Sequence, residues 1–354
     1  MASLPAAADA ELPFHVETIT TFNEPWAMTF MPDGRMLVTE KRGRLYVTTQ
    51  DGEKSRPVEN IPDVDYRGQG GLGDVVLHPD FAKNKWVYVS YAESGRGNTR
   101  GAAVARGRLE FDRRNNPHLR DVQVIWRQNP KVTDDGHYGH RMAFDQDGYL
   151  FIASGERQKF DPAQHMTGNL GKIVRLFDDG RVPDDNPFAE RGDVTAEIWS
   201  LGHRNPLGLA FDDEGQLWNS EMGPRDGDEL NRVLPGKNYG YPLVSNGEHY
   251  NGDPIPNHDT RPDLEAPAVY WVPTIAPAGL IFYSGEMFEE WQGSAFIPGL
   301  RSRALIRVTF DDGAKEEERF AMDKRIREIE QGPNGELWVL EDLDGARLLK
   351  LTRK

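Results

Sequence analysis

The chain has 354 residues, 38% of them hydrophobic, and a formal net charge of -15; it is long enough to bury a sizeable core, and its acidic balance argues against a nucleic-acid groove or an anionic membrane surface as the main partner. It contains no cysteine, which excludes disulfides, thiolate metal sites and thiol nucleophiles and leaves the redox compartment open. No stretch reaches the apolar length of a membrane span.

In chain order, residues 1–14 (MASLPAAADAELPF) come first, with neither a basic start nor an apolar centre. They read either as the small-residue stretch left by removal of a signal peptide or as a flexible N-terminal segment. From residue 15 to residue 354 a single phrase recurs: a β-prone run, a turn rich in Asp, Pro, Gly or Asn, and a second β-prone run. The copies are PWAMTFMPDGRMLVTE from Pro25, GLGDVVLHPDFAKNKWVYVSY from Gly71, GHRMAFDQDGYLFIASGE from Gly139, PLGLAFDDEGQLWNSEMG from Pro206, PAGLIFYSGEMFEEWQGSAFIPGL from Pro277 and RIREIEQGPNGELWVLED from Arg325. Each predicts a β-hairpin. Six hairpins at intervals of tens of residues, with no long helical pattern between them, predict an all-β fold: one six-bladed β-propeller domain of four-stranded antiparallel blades. Such a fold converges on a central channel, where loops at one rim build a site from residues far apart in sequence.

Five segments beside the hairpins carry chemistry: YRGQGGLGD around Gln69, DDGHYGHR around His137, LGHRNPLG around Arg204, SEMGPRDGDE from Ser220 to Glu229, and DKRIREI with Arg325 and Arg327. The alternation of a strand predicts that these last two arginines share a face, where two guanidiniums repel unless an anion lies between them. Each segment also has a plain reading: a turn amide, a loop histidine, an acidic turn, a solvated strand face.

Taken together, GQGG, HxxxR, GHRNP, EMGPRDGDE followed by NYGYP, WVPTIAP, and RIR near the end resemble the soluble pyrroloquinoline-quinone (PQQ) dependent sugar dehydrogenases of the glucose/sorbosone dehydrogenase family. The aldose sugar dehydrogenases are the nearer branch, and the resemblance runs from about Pro25 to the end of the chain. It implies a six-bladed propeller that oxidises the C1 hydroxyl of aldoses to the lactone by hydride transfer to PQQ, with an external electron acceptor. A monomer in the periplasm or outside the cell is expected. By the same resemblance His137 is the general base and Glu156 its supporting carboxylate. Arg204 stabilises developing negative charge, and Gln69, Asn205, Arg301, Arg325 and Arg327 bind the cofactor. Arg301 stands where relatives commonly carry lysine. Gly223 and Pro224 would offer carbonyls to a calcium ion at the cofactor, with Met222 departing from a polar residue in other branches, while Glu229 and the carbonyl of Tyr239 would hold a second, structural calcium. The connection from Tyr239 to Trp271 is short beside the glucose-preferring branch, which implies an open rim and broad aldose tolerance. Tyr270 and Trp271 are open to two readings, stacking on a ligand or packing in the core. Two other classes stay open: a calcium-dependent lactonase-type propeller hydrolase, which leaves Arg204, Arg301, Arg325 and Arg327 unexplained, and a cofactor-free propeller that serves as a binding module.

Overall fold

A computed structural model describes residues 11–354. The chain forms six antiparallel sheets arranged as the blades of a propeller, and each repeated phrase is the inner hairpin of one blade. The innermost strands, in chain order, are Pro25–Phe30, Leu72–Leu77, Gly139–Phe144, Pro206–Phe211, Ile281–Phe282 and Ile326–Gln331. Glycine at a left-handed φ closes the inner turn in four blades, at Gly34 (φ 83), Gly148 (φ 85), Gly215 (φ 79) and Gly335 (φ 83), a conformation that costs a residue with a Cβ more than it costs glycine. Among the described residues five sheets have four strands and the first has three, extended by an isolated bridge from Thr48 to Lys54. The sixth blade is completed by the strand Phe14–Phe22, which pairs antiparallel with Ala346–Arg353 from the other end of the chain. Phe14 is buried against Trp291 and Phe320. The flexible stretch expected over residues 1–14 falls largely on residues 1–10, outside the described residues.

Six apolar clusters make up the core, one between each pair of neighbouring blades. Because the apolar faces are consumed between blades, the channel is left to polar groups. Arg141 on the third inner strand reaches Asp74 Oδ1 of the second at 3.2 Å and pairs with Glu328 of the sixth, so three blades meet across the axis. In five blades the inner hairpin slips register near the start of its first strand. Bulges of this kind turn side chains out of the alternating pattern and occur beside active sites. Here they fall on Trp26, Gly73, His140, Leu207 and Arg327.

Candidate active site

The candidate residues lie at one rim of the channel, just before the first strand or just after the second strand of the inner hairpins. Lys41 follows the second strand of blade one, Gln69 precedes blade two, His137 and Glu156 flank the hairpin of blade three, Arg204 and Asn205 precede blade four, and Arg301 follows the second strand of blade five. Two cavities open there. One, of about 400 Å³, is lined by Gln69, Asn205, Arg301, Arg325 and Arg327 together with Lys41, Trp26 and His140. The other, of about 420 Å³, is lined by His137, Glu156, Arg204 and Pro224 and by the rings of Phe160, Tyr241 and Tyr250. Consecutive residues, His137 with Tyr138 and Arg204 with Asn205, face the two.

His137 Nδ1 is paired with Glu156 Oε1, and both side chains are buried. A carboxylate only accepts, so Nδ1 carries the proton and Nε2 is left as the basic lone pair. The carboxylate is itself fixed: its Oε2 accepts the main-chain N–H groups of Lys159 (2.5 Å) and Phe160 (2.7 Å). Burial lowers the His137 imidazole below its ordinary value, the Glu156 hydrogen bond opposes this, and the nearby Arg204 charge adds to the lowering. Burial alone would raise Glu156, but the bond to His137 and the surrounding charges hold it below the usual carboxylate range.

The backbone here is unusual. Asp134, His137, His140, Arg157, Gln158 and Phe160 all have left-handed φ between 50 and 74, a conformation that costs about 1–3 kcal/mol at a non-glycine residue and concentrates at functional sites. What holds it is Arg157, fully buried, whose guanidinium donates to the carbonyls of Gly136 (2.9 Å), Arg100 (2.6 Å) and Asp134 (2.6 Å) and lies 3.8 Å from the centre of the Tyr138 ring. Gln69 acts on the same loop, since its Oε1 accepts the His137 N–H at 2.8 Å. Asn205 Oδ1 accepts the Gly139 N–H at 3.3 Å.

Arg204 is buried, and its main-chain N–H donates to Glu221 Oε2 at 2.9 Å. Its guanidinium donates to the carbonyls of Met222 (3.0 Å) and Gly223 (2.6 Å), while its Nε has no partner among the described residues. One of the two carbonyls expected to face calcium is thus engaged by a cation of the protein itself. Arg325 precedes its strand and Arg327 sits in the register slip, so strand alternation is not what brings them together. The anion between them is Asp342, which accepts from Arg325 Nε at 2.8 Å and Arg327 Nε at 3.0 Å. Burial would raise this carboxyl, and the two guanidiniums hold it below its usual range. Arg301 is exposed and makes no side-chain ion pair or hydrogen bond among the described residues.

Glu229 and Tyr239 lie apart from both cavities. Glu229 is buried directly opposite Glu221 on the neighbouring strand, an arrangement of like charges that is destabilising unless something neutralises it. Burial, then the charge of Glu221, push its carboxyl up against the bonds from His258 (3.3 Å) and Asn231 (3.2 Å). Asn231 Oδ1 beside them has no partner among the described residues. No three His, Asp or Glu side chains converge as a metal cage among the described residues, so an ion here would draw on carboxamide and main-chain oxygen as well. Trp271 is in the core, its Nε1 donating to Glu316 at 2.7 Å, and Tyr270 is exposed outside both cavities.

The model of the glucose/sorbosone dehydrogenases matches residues 22–350. The chain belongs to this family. It is 41% identical over 337 residues to the aldose sugar dehydrogenase YliI of Escherichia coli strain K12, across 93% of this chain and 90% of that one. The crystal structure of the soluble aldose sugar dehydrogenase of E. coli, in the apo-form, superposes with a TM-score of 0.90 at 39% identity over 96% of this chain and 100% of the other. The PQQ-bound aldose sugar dehydrogenase of Streptomyces coelicolor does so with a TM-score of 0.78 at 25% identity, over 96% and 98%.

The motifs alone do not point to Lys41, Arg157, Asp342 or Glu221 as site residues. Glu221 was the most accessible of these from sequence: three of the repeated phrases end their second strand on glutamate, at Glu40, Glu221 and Glu341.

Proposed function

We propose that the protein is a PQQ-dependent aldose sugar dehydrogenase that oxidises the C1 hydroxyl of aldoses to the lactone and passes the electrons to an external acceptor. One observation carries the reading: a histidine braced by a buried carboxylate stands beside a cavity rimmed by Lys41, Arg301, Arg325 and Arg327. The PQQ carried by the Streptomyces relative and the activity named for the E. coli relative support it. A lactonase chemistry leaves that cationic rim without a role.

An anionic quinone fits the residues present. Three carboxylates need several cations, the Arg301 side chain has no polar partner among the described residues, and Arg's planar fork suits carboxylates. When bound, the quinone supplies the hydride acceptor that no side chain provides. His137 Nε2 takes the proton of the C1 hydroxyl, and Glu156 orients the ring and stabilises the imidazolium. Arg204, with its free Nε, donates to oxygen on which negative charge grows. Gln69 and Asn205 hold the His137 loop with their carbonyl oxygens, which leaves their NH₂ groups for ligand.

Calcium fits in part at the cofactor. Pro224 and Gly223 carbonyls are hard ligands of the right kind, but Gly223 is shared with Arg204, so ion and guanidinium compete for it. At Glu229 the fit is better: opposed buried carboxylates and an orphaned carboxamide oxygen call for a cation, with the Tyr239 carbonyl a further ligand. A monomer in the periplasm or outside the cell completes the reading; no helix among the described residues is long and apolar enough to cross a membrane.

The test is reconstitution. PQQ and calcium added to purified protein, followed by dye reduction with glucose and other aldoses, should give turnover; no optical change of the quinone together with no turnover overturns the reading.

A further inference from the structure

Two residues of the singled-out motifs have no role in the site as described: Gly73 of GLGD and His140 of GHR. The structure explains them by each other. His140 stands in the register slip of the third inner hairpin, where His140 and Arg141 face the single residue Ala153, and its φ of 54 is left-handed. The slip turns the ring to the wall of the channel-mouth cavity, where it packs 4.9 Å from the Trp26 ring. It fits there only because Gly73 has no side chain: a Cβ at that position would stand 2.2 Å from His140 Cε1 and 2.5 Å from Nδ1.

No polar group among the described residues uses this imidazole, which otherwise only packs against the Trp26 and Tyr138 rings. It is 2% exposed, its Nδ1 is buried without a partner, and neither ring nitrogen makes a hydrogen bond among the described residues. A buried polar side chain without a partner forfeits its hydration with nothing in return, and such groups in native structures call for a functional reason. Nδ1 is sealed off from every donor and acceptor while Nε2 is not, so in the neutral ring we place the proton on Nε2, the nitrogen able to offer it to a ligand. The ring is held neutral: burial, then the charges of Arg141, Arg157 and Lys41, push it down to about 3. The cavity therefore combines an uncharged N–H donor in its wall with guanidiniums and an ammonium at its rim.

We propose that His140 is a further cofactor-binding residue of this chain, donating an Nε2–H hydrogen bond to an oxygen or ring nitrogen of the quinone bound in the cavity it lines, with Gly73 as the residue that makes room for it. This rests on the quinone reading above. A bare cation or an uncharged sugar would not draw on that combination, whereas a flat anionic heterocycle with acceptors along its edge uses both parts.

The experiment is a titration of PQQ, in the presence of calcium, into the parent protein and into His140→Ala, His140→Gln and Gly73→Ala, read by calorimetry and by quenching of tryptophan fluorescence. The His140→Ala variant should bind about tenfold more weakly, the worth of one hydrogen bond. His140→Gln, which keeps an N–H donor, should recover most of the loss. Gly73→Ala, with His140 intact but displaced, should weaken binding as well. Equal or tighter binding by His140→Ala overturns the proposal, as does a loss that His140→Gln fails to restore. Should His140→Ala not fold, ¹⁵N-histidine spectra of the parent decide, with His140→Gln giving the assignment: the His140 Nε2 signal must shift when quinone is added, and an unmoved signal overturns the proposal. A parent protein that binds no PQQ sinks the functional reading instead, whatever His140 does.

Discussion

His137 has a strained backbone, a buried ring and one charged partner, and each leaves a measurable trace. Burial lowers its imidazole from the ordinary 6.5. A base works while neutral, so with saturating quinone kcat/KM should hold its plateau down through pH 6.5 and fall only below it. Glu156 raises the imidazole, so Glu156→Gln should move this acid limb to still lower pH while lowering the plateau at least about tenfold. A parent limb above pH 6.5, or an upward move in the variant, contradicts the assignment. His137→Gln should bind quinone nearly as the parent does and lose about a hundredfold or more in the chemical step, measured by single turnover after saturation. Arg204 differs in kind: Arg204→Ala should lose both affinity and rate, and a saturated variant reacting at the parent rate would leave it a binding role alone. The side chains proposed to meet ligand were legible in the motifs because the chemistry proposed for them restricts the residue types. Asp342, Arg157 and Lys41 were not legible, since what defines them is burial and a partner distant in sequence.

The element that matters most is the loop from Asp134 to His140 with its partner segment from Glu156 to Phe160. It is irregular, and its strain persists because Arg157 converts three main-chain carbonyls into charge-assisted bonds. Arg157→Met leaves those buried carbonyls unmet and should lower stability by about 2–4 kcal/mol, read in a denaturant melt of the apo-protein, and slow turnover at saturating quinone. Unchanged values of both would mean that the loop stands without its brace. The inner hairpins were readable because they alternate and three of them turn on Asp-Gly or Asn-Gly, at Asp33-Gly34, Asp147-Gly148 and Asn334-Gly335. The register slips were not: a bulge depends on where the partner strand ends, so alternation placed Arg325 and Arg327 on one face when one precedes the strand and the other sits in the slip. Strand Phe14–Phe22 was equally hidden as a closing element, because its partner, Ala346–Arg353, lies at the far end of the chain.

At the scale of the whole molecule, the six inter-blade clusters hold the ring and charge decides where it is weak. Glu229 opposite Glu221 is such a place, buried in blade four away from the cavities. Its carboxyl is raised above the ordinary 4.5, so without a cation the folded state binds more protons than the unfolded one, and stability falls as pH rises from 4.5 through the raised value. An ion held only by the folded state reverses this by mass action. Glu229→Gln should therefore change rank with conditions. In chelator at neutral pH the variant, freed of a buried like-charge pair, should melt above the parent; in excess calcium the parent, with its ligand, should melt above the variant. On the proposed reading, chelation should also abolish sugar oxidation before it lowers the melting temperature, because an ion at Gly223 and Pro224 would have carbonyls and a competing Arg204 where an ion at Glu229 would have a fixed carboxylate. Thermal melts of both proteins in chelator and in calcium test the assignment: the same order in both conditions would show that His258 and Asn231 at Glu229, with Asn231, His203 and the Arg204 N–H at Glu221, hold the two carboxyls with no ion between them.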